Sequence, residues 1–171
     1  MGETYNIQLP QYFISNIIVT KADGTSYAVP QDSSYFLINE TSPDSRFARV
    51  NVPEGDYTKI TFTLGVDSLR STMDVSKRTG VLDPAGGMES GMYWGWNSGY
   101  IFFKLEGVSP QAPSDPTGAN KYRFHIGGFG GYSAPTINNI KVITTDLTAR
   151  GMAQVRKNRN INIHFFVDID K

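Results

Sequence analysis

The chain contains no cysteine and only two histidines among its 171 residues. The lack of cysteine excludes disulfide bridges, thiolate metal sites and cysteine nucleophiles, although it does not indicate a cellular compartment. The soft donors that remain for a transition metal are therefore histidine imidazole and the thioethers of the 5 methionines. No Gly-x-Ser-x-Gly motif occurs, and two histidines at predicted strand positions give no defensible order for a Ser/His/acid triad. Hydrolase chemistry of that kind is not expected.

The chain also lacks net charge and long apolar runs. Its 16 basic and 16 acidic residues give a formal net charge of +0, so no basic stripe exists to neutralise phosphates. Nucleic acid is therefore not an expected partner. No apolar run approaches the ~18 residues of a membrane span, so we predict no transmembrane segment. Residues 1–4 have neither the basic start nor the apolar stretch of a signal peptide. We expect a cytoplasmic protein or one whose export signal has been removed.

The residues that are present favour strands. Alternating apolar residues, β-branched residues and turn signals such as Asp23-Gly24 predict eight or nine strands. They lie at 12–20, 26–29, 34–38, 46–52, 57–66, 100–106, 122–126, 137–144 and 160–167. A helical turn is expected within 147–155, capped by Asp146 or Thr148. We predict an all-β fold, a single antiparallel β-sandwich domain with long loops over residues 1–171.

Two long connections interrupt the strands, at residues 67–89 and 108–121. Loops of more than ~12 residues inside a compact domain are uncommon and are often functional. The first connection leads into residues 91–100, where both tryptophans of the chain, Trp94 and Trp96, stand among glycines. Large rings favour burial, whereas glycine weakens a strand, so this segment indicates a constraint beyond packing.

Two interpretations of the tryptophans remain open. In an extended segment Trp94 and Trp96 share one face, where they either pack the core or serve as modified residues or ligands. His125, in 122–126, is predicted to face away from its two apolar neighbours, toward a polar face or a site beside the tryptophans. His164 is predicted to be an exposed or hydrogen-bonded strand histidine.

Six segments of the chain together resemble a known family, and they occur in the same order as in that family. They read Tyr-Phe-Ile-Ser-Asn-Ile at 12–17, Val-Pro-Glu-Gly-Asp-Tyr at 52–57, Leu-Gly-Val-Asp-Ser-Leu-Arg at 64–70, Leu-Asp-Pro at 82–84, Gly-Met-Tyr-Trp-Gly-Trp-Asn-Ser-Gly-Tyr at 91–100 and Phe-His-Ile-Gly-Gly at 124–128. Together they resemble the MbnP-like family, with Met-x-Trp-x-Trp-x-x-Gly-Tyr as the most specific motif. Residues 65–70 and 104–107 look more like the branch seen in Bacteroidota.

The resemblance implies an exported, non-enzymatic β-sandwich protein of the periplasm or cell surface, of a methanobactin-associated family whose methanotroph members bind copper. By the family pattern His125 is a metal ligand, and Trp94 or Trp96 is oxidised to kynurenine by a di-haem partner of the cytochrome c peroxidase type. Oxidation has to come first because an intact indole N–H is only a donor.

One loop departs from the family pattern. The methanotroph members carry a histidine just after their Gly-Val, whereas residues 67–72 of this chain hold none. Tight binding would therefore need His125 together with a second nitrogen, or with a sulfur from Met88 or Met92.

Two other functions remain open. One is a structural or interaction module for protein or carbohydrate, in which the Trp-x-Trp segment packs the core or forms an aromatic surface. The other is a calcium-stabilised sandwich, because Asp67, Asp74 and Asp83 lie in or beside the long loop and calcium takes six to eight oxygen ligands.

Overall fold

A computed structural model describes residues 2–87, 91–95, 99–114 and 116–169. The strands in these ranges pair antiparallel throughout. They are β1 Asn6–Lys21, β2 Ser26–Ala28, β3 Tyr35–Asn39, β4 Gly55–Leu64, β5 Tyr93–Trp94, β6 Gly99–Val108, β7 Lys121–Gly127, β8 Lys141–Asp146 and β9 Ala153–Val155. The predicted all-β antiparallel fold is confirmed.

The long strand β1 organises the sheet. Its first half pairs with β6 on one edge and β3 on the other, and its second half pairs with β4 and β2. Strands β5 and β7 pair with β6, whereas β8 and β9 pair with β4. The sheet therefore consists of two groups of strands that share β1.

A β-bulge at Asn16 divides β1 between these groups. Asn16 has a φ of 52°, and the register with β4 shifts by one residue at this point. Two fully buried serines fix the bulge, since Ser15 donates to the Gly65 carbonyl at 2.7 Å and Ser34 accepts from the Ile17 amide at 2.7 Å. One extra residue in a strand turns the side chains that follow to the other face of the sheet.

The core consequently forms two clusters on opposite faces. Phe13 precedes the bulge and belongs to the first cluster, whereas Ile17 and Val19 follow it and belong to the second. The other buried members of the first cluster are Val66, Leu82, Met92, Tyr100, Ile101, Phe102 and Phe129. Those of the second are Val29, Tyr57, Ile60 and Phe62. Burying each large side chain contributes about 1.5–3 kcal/mol, so both clusters stabilise the fold.

Short helices occupy the connections. The α-helices are α1 Ser68–Thr72 and α2 Pro84–Gly87, and the 3₁₀ turns are Gln31–Ser33, Pro43–Arg46, Val75–Lys77, Gly80–Leu82 and Thr148–Arg150. The turn Thr148–Arg150 lies within the predicted range 147–155. The Asp146 carboxylate accepts from the Thr148 amide at 2.7 Å, but the N-cap position is Leu147, so the predicted capping residue is wrong. No helix among the described residues is long and apolar enough to cross a membrane.

Two predicted strands, 46–52 and 160–167, are wrong. Residues 47–52 alternate in exposure as predicted, but they form no ladder with another described segment. Residues 160–167 likewise lack a ladder, and Phe165 packs edge-on against Phe62 with ring centroids 5.5 Å apart. In both segments the apolar pattern reflects side chains packed on a core rather than backbone pairing. The predicted strand 137–144 begins later, with β8 at Lys141.

Candidate functional site

His125 lies on β7, directly across from Lys104 of β6. Its Nε2 atom is 2.7 Å from Oε1 of Glu106, so the imidazole and the carboxylate are in hydrogen-bond contact. The histidine is half-buried, whereas Phe124 and Ile126 on the opposite face are 57% and 45% exposed. This arrangement confirms the predicted facing of His125. Because Nε2 contacts the carboxylate, Nδ1 is the nitrogen left to accept a metal.

Glu106 also contacts a buried lysine. Lys104 is 8% exposed, and its Nζ lies 3.6 Å from Oε1 of Glu106 and donates to the Gly91 carbonyl at 3.4 Å. Burial acts to raise the pKa of Glu106, but the hydrogen bond to His125 and the charge of Lys104 outweigh it and hold this pKa below its usual value. Glu106 is therefore an ionised carboxylate shared by an imidazole and an ammonium.

A polar row runs across three neighbouring strands at this point. Gln11 of β1 lies opposite Lys104, which lies opposite His125. Gln11 is 4% exposed, and its Oε1 has no hydrogen-bond partner among the described residues. A buried unsatisfied acceptor costs about 1–3 kcal/mol. Core packing alone does not explain such a row.

Trp94 approaches the same face of β7. It pairs with Gly99 in the short ladder between β5 and β6, and its ring lies over Gly127. A Cβ at Gly127 would come within 2.7 Å of Cζ3 of this ring and 2.4 Å of the Tyr100 carbonyl oxygen. Side chains two residues apart on a strand share a face, so Trp94 and His125 lie on the same side of β7.

The remaining residues predicted for this site are distributed differently. Trp96 and Met88 lie outside the described residues. Met92 is 1% exposed within the first core cluster, where Trp94 also packs in part. His164 is exposed, as predicted, but its segment is not a strand.

The long loop is held by Asp67 at its start. The Asp67 carboxylate accepts from the Arg70 amide at 2.9 Å, the Tyr35 hydroxyl at 2.5 Å and the Asn16 side chain at 3.0 Å. Burial acts to raise the pKa of Asp67, but these hydrogen bonds outweigh it and keep the pKa low. At the start of this loop the chain therefore has a carboxylate that anchors the loop to β1 and β3.

The other two acids proposed for calcium cap separate turns. Asp74 accepts from the Ser76 amide and Asp83 from the Ala85 amide, each at 2.9 Å. Within the part of the chain that the structure describes, no three His, Asp or Glu side chains are grouped so as to hold a metal ion.

A family model described as MbnP matches residues 1–171. The chain belongs to the MbnP family. No curated protein matches it. Among solved structures, MbnP from Methylosinus trichosporium is similar at 15% sequence identity with a TM-score of 0.53. The match covers 84% of this chain and 61% of that chain, and at this identity the likeness shows the fold alone.

The residues of this MbnP family member fit a copper site in part. An imidazole and a carboxylate oxygen are donors that suit copper, and a carboxylate that fixes the orientation of a histidine is common at metal sites. The ammonium of Lys104, 3.6 Å from the same carboxylate, opposes a second cation there. The described residues thus bring one imidazole and one carboxylate together, and a metal site here would need further donors.

The sequence did not predict Glu106, Lys104 or Gln11. Glu106 and Lys104 lie two residues apart in the predicted strand 100–106, so the sequence does indicate that they share one face of that strand. Their proximity to His125 depends on the register between β6 and β7, and a shift of one residue would turn them to the other face.

Proposed function

We propose that this chain is an exported, non-enzymatic, metal-binding member of the MbnP family, associated with methanobactin-type systems, that binds copper outside the cytoplasm with His125 as its anchoring ligand. The observation that carries the proposal is the His125–Glu106 contact of 2.7 Å on the face that Trp94 covers. Family membership supports the same function.

Each neighbour of His125 has a distinct part in this proposal. Glu106 fixes the imidazole so that Nδ1 is the donor atom, and copper accepts imidazole nitrogen readily. Trp94 or Trp96 would supply a second nitrogen after conversion to kynurenine. In that four-electron oxidation water provides the oxygen atoms, one carbon of the indole ring leaves as formic acid, and four protons are released. A di-haem partner of the cytochrome c peroxidase type would supply the oxidising equivalents.

The test is peptide mass spectrometry and metal analysis on protein purified from its native host. We expect the mass change of kynurenine on the peptide that holds both tryptophans, and near-stoichiometric copper. His125→Ala should abolish the copper, whereas His164→Ala, at the exposed histidine, should not. Unmodified tryptophans without copper in native material would overturn the proposal.

A second candidate function is an interaction module, and the outer face of β6 and β7 favours it. Phe124 and Ile126 are exposed there, and the Tyr122 and Phe124 rings lie 5.6 Å apart. Aromatic rings on a sheet face are suited to protein or carbohydrate partners. Substoichiometric copper that His125→Ala does not change would favour this function.

The calcium-stabilised sandwich has its own test. Loss of thermal stability on addition of a calcium chelator, without any effect of copper, would indicate that form.

A further inference from the structure

Residues 47–52 have the side-chain pattern of a strand, but they pair with no strand among the described residues. Ala48, Val50 and Val52 are half-buried, and the residues between them are exposed. Phe47, where the segment begins, has extended backbone angles, with φ −111° and ψ 102°. No backbone hydrogen bond joins 47–52 to another described residue. The segment therefore presents free backbone donors and acceptors.

A groove of about 540 Å³ lies beside this segment. Tyr27, Val29 and Phe36 form its apolar side and belong to or pack on the second core cluster. Arg49 and Asn51 of the unpaired segment contribute its polar side. The groove thus places apolar side chains next to unpaired backbone, which is the combination that binds an extended peptide.

The charges in the groove favour an acidic occupant. Asp32 lines the groove, but its carboxylate is paired with the guanidinium of the buried Arg70. The guanidinium of Arg49 lies 5.4 Å from the Phe47 ring centroid and has no ion-pair partner among the described residues. The Asp32 side chain is 88% exposed and its charge is balanced by that of Arg70, so Arg49 provides the unbalanced charge beside the groove.

We propose that this groove binds an extended segment of a partner protein in which apolar and acidic residues alternate. The segment pairs through its backbone with residues 47–52. Its apolar side chains contact Tyr27 and Phe36, and one of its carboxylates pairs with Arg49. This interaction surface is independent of copper binding, because the groove contains none of the residues around His125.

The test uses a short synthetic peptide of alternating valine and glutamate, added to the whole protein and followed by hydrogen exchange and calorimetry. We expect slower amide exchange within 47–52 on addition of the peptide. Methylation of the peptide's backbone nitrogens should abolish binding, because it removes the backbone donors.

Charge reversal then tests the part played by Arg49. Arg49→Glu should weaken binding of the valine–glutamate peptide by about fivefold, the scale of one exposed ion pair. The same variant should bind a peptide of alternating valine and lysine more tightly than the unchanged protein does. Arg150→Glu, an exposed charge outside the groove, is the matched control and should leave affinity unchanged. The proposal is overturned if 47–52 gains no protection, if the methylated peptide binds equally well, or if the two arginine variants behave alike.

Discussion

Gly127 determines how closely Trp94 approaches β7. The ring of Trp94 fills the space that a side chain at Gly127 would need, and the Tyr100 carbonyl lies on the same side. Gly127 is therefore required by this fold because the indole of Trp94 packs closely against the strand at that position. The Phe-His-x-Gly motif at 124–127 thus contains a candidate ligand, His125, and a glycine, Gly127, that allows Trp94 to pack against the same strand.

Gly127→Ala should therefore disturb both stability and the environment of Trp94. The new methyl group would meet the Tyr100 carbonyl, a backbone atom that cannot easily move, at 2.4 Å. We expect a loss of about 1–3 kcal/mol in the free energy of unfolding, the range for overpacking, measured by urea denaturation together with tryptophan emission. Gly95→Ala is the control, because a Cβ there meets nothing within 4 Å. Equal effects of the two substitutions would show that Gly127 is not tightly packed.

The bulge in β1 determines the arrangement of the elements. Odd-numbered residues of β1 are buried from Gln11 to Val19, and a simple alternation would place them all on one face. The extra residue at Asn16 instead sends those before it to the first core and those after it to the second. The segment 12–17 that resembles the family is therefore the element that splits the core.

Ser34→Ala tests this element. The buried Ile17 amide would lose its acceptor at the bulge, and an unsatisfied buried donor costs about 1–3 kcal/mol. Urea denaturation should show that loss, whereas Ser26→Ala should change stability by less than about 0.5 kcal/mol, since its hydrogen bond to Thr20 is exposed. If the two variants were equally stable, Ser34 would not hold the bulge.

These strands also show which features the sequence could predict and which it could not. Period-two alternation predicted strands such as β4 and the facing of His125, because alternation depends only on the local chain. It did not predict the change of face at Asn16 or the Glu106 contact, since both depend on register between strands. For the same reason it predicted a strand at 46–52, where the side chains alternate but no described strand pairs with the backbone.

At the scale of the whole molecule, the described strands form one connected sheet with a core cluster on each face. Strand β1 contributes side chains to both clusters. Strand β4 pairs with the second half of β1, and Val66, which follows β4 in the chain, belongs to the first cluster. Among the described residues, neither cluster has a separate sheet of its own. We infer that the two clusters unfold together, as one domain.

Ile60→Ala tests this inference because it alters only the second cluster, whereas Trp94 packs against the first. Removing a buried isoleucine side chain costs about 2–5 kcal/mol. If the clusters unfold together, the denaturation midpoint followed by tryptophan fluorescence should fall as far as the one followed by circular dichroism. Phe102→Ala, in the first cluster, should shift both probes in the same way. A fluorescence midpoint that Ile60→Ala left unchanged would mean that the first cluster is stable without the second, and that the bulge joins two independent folding units.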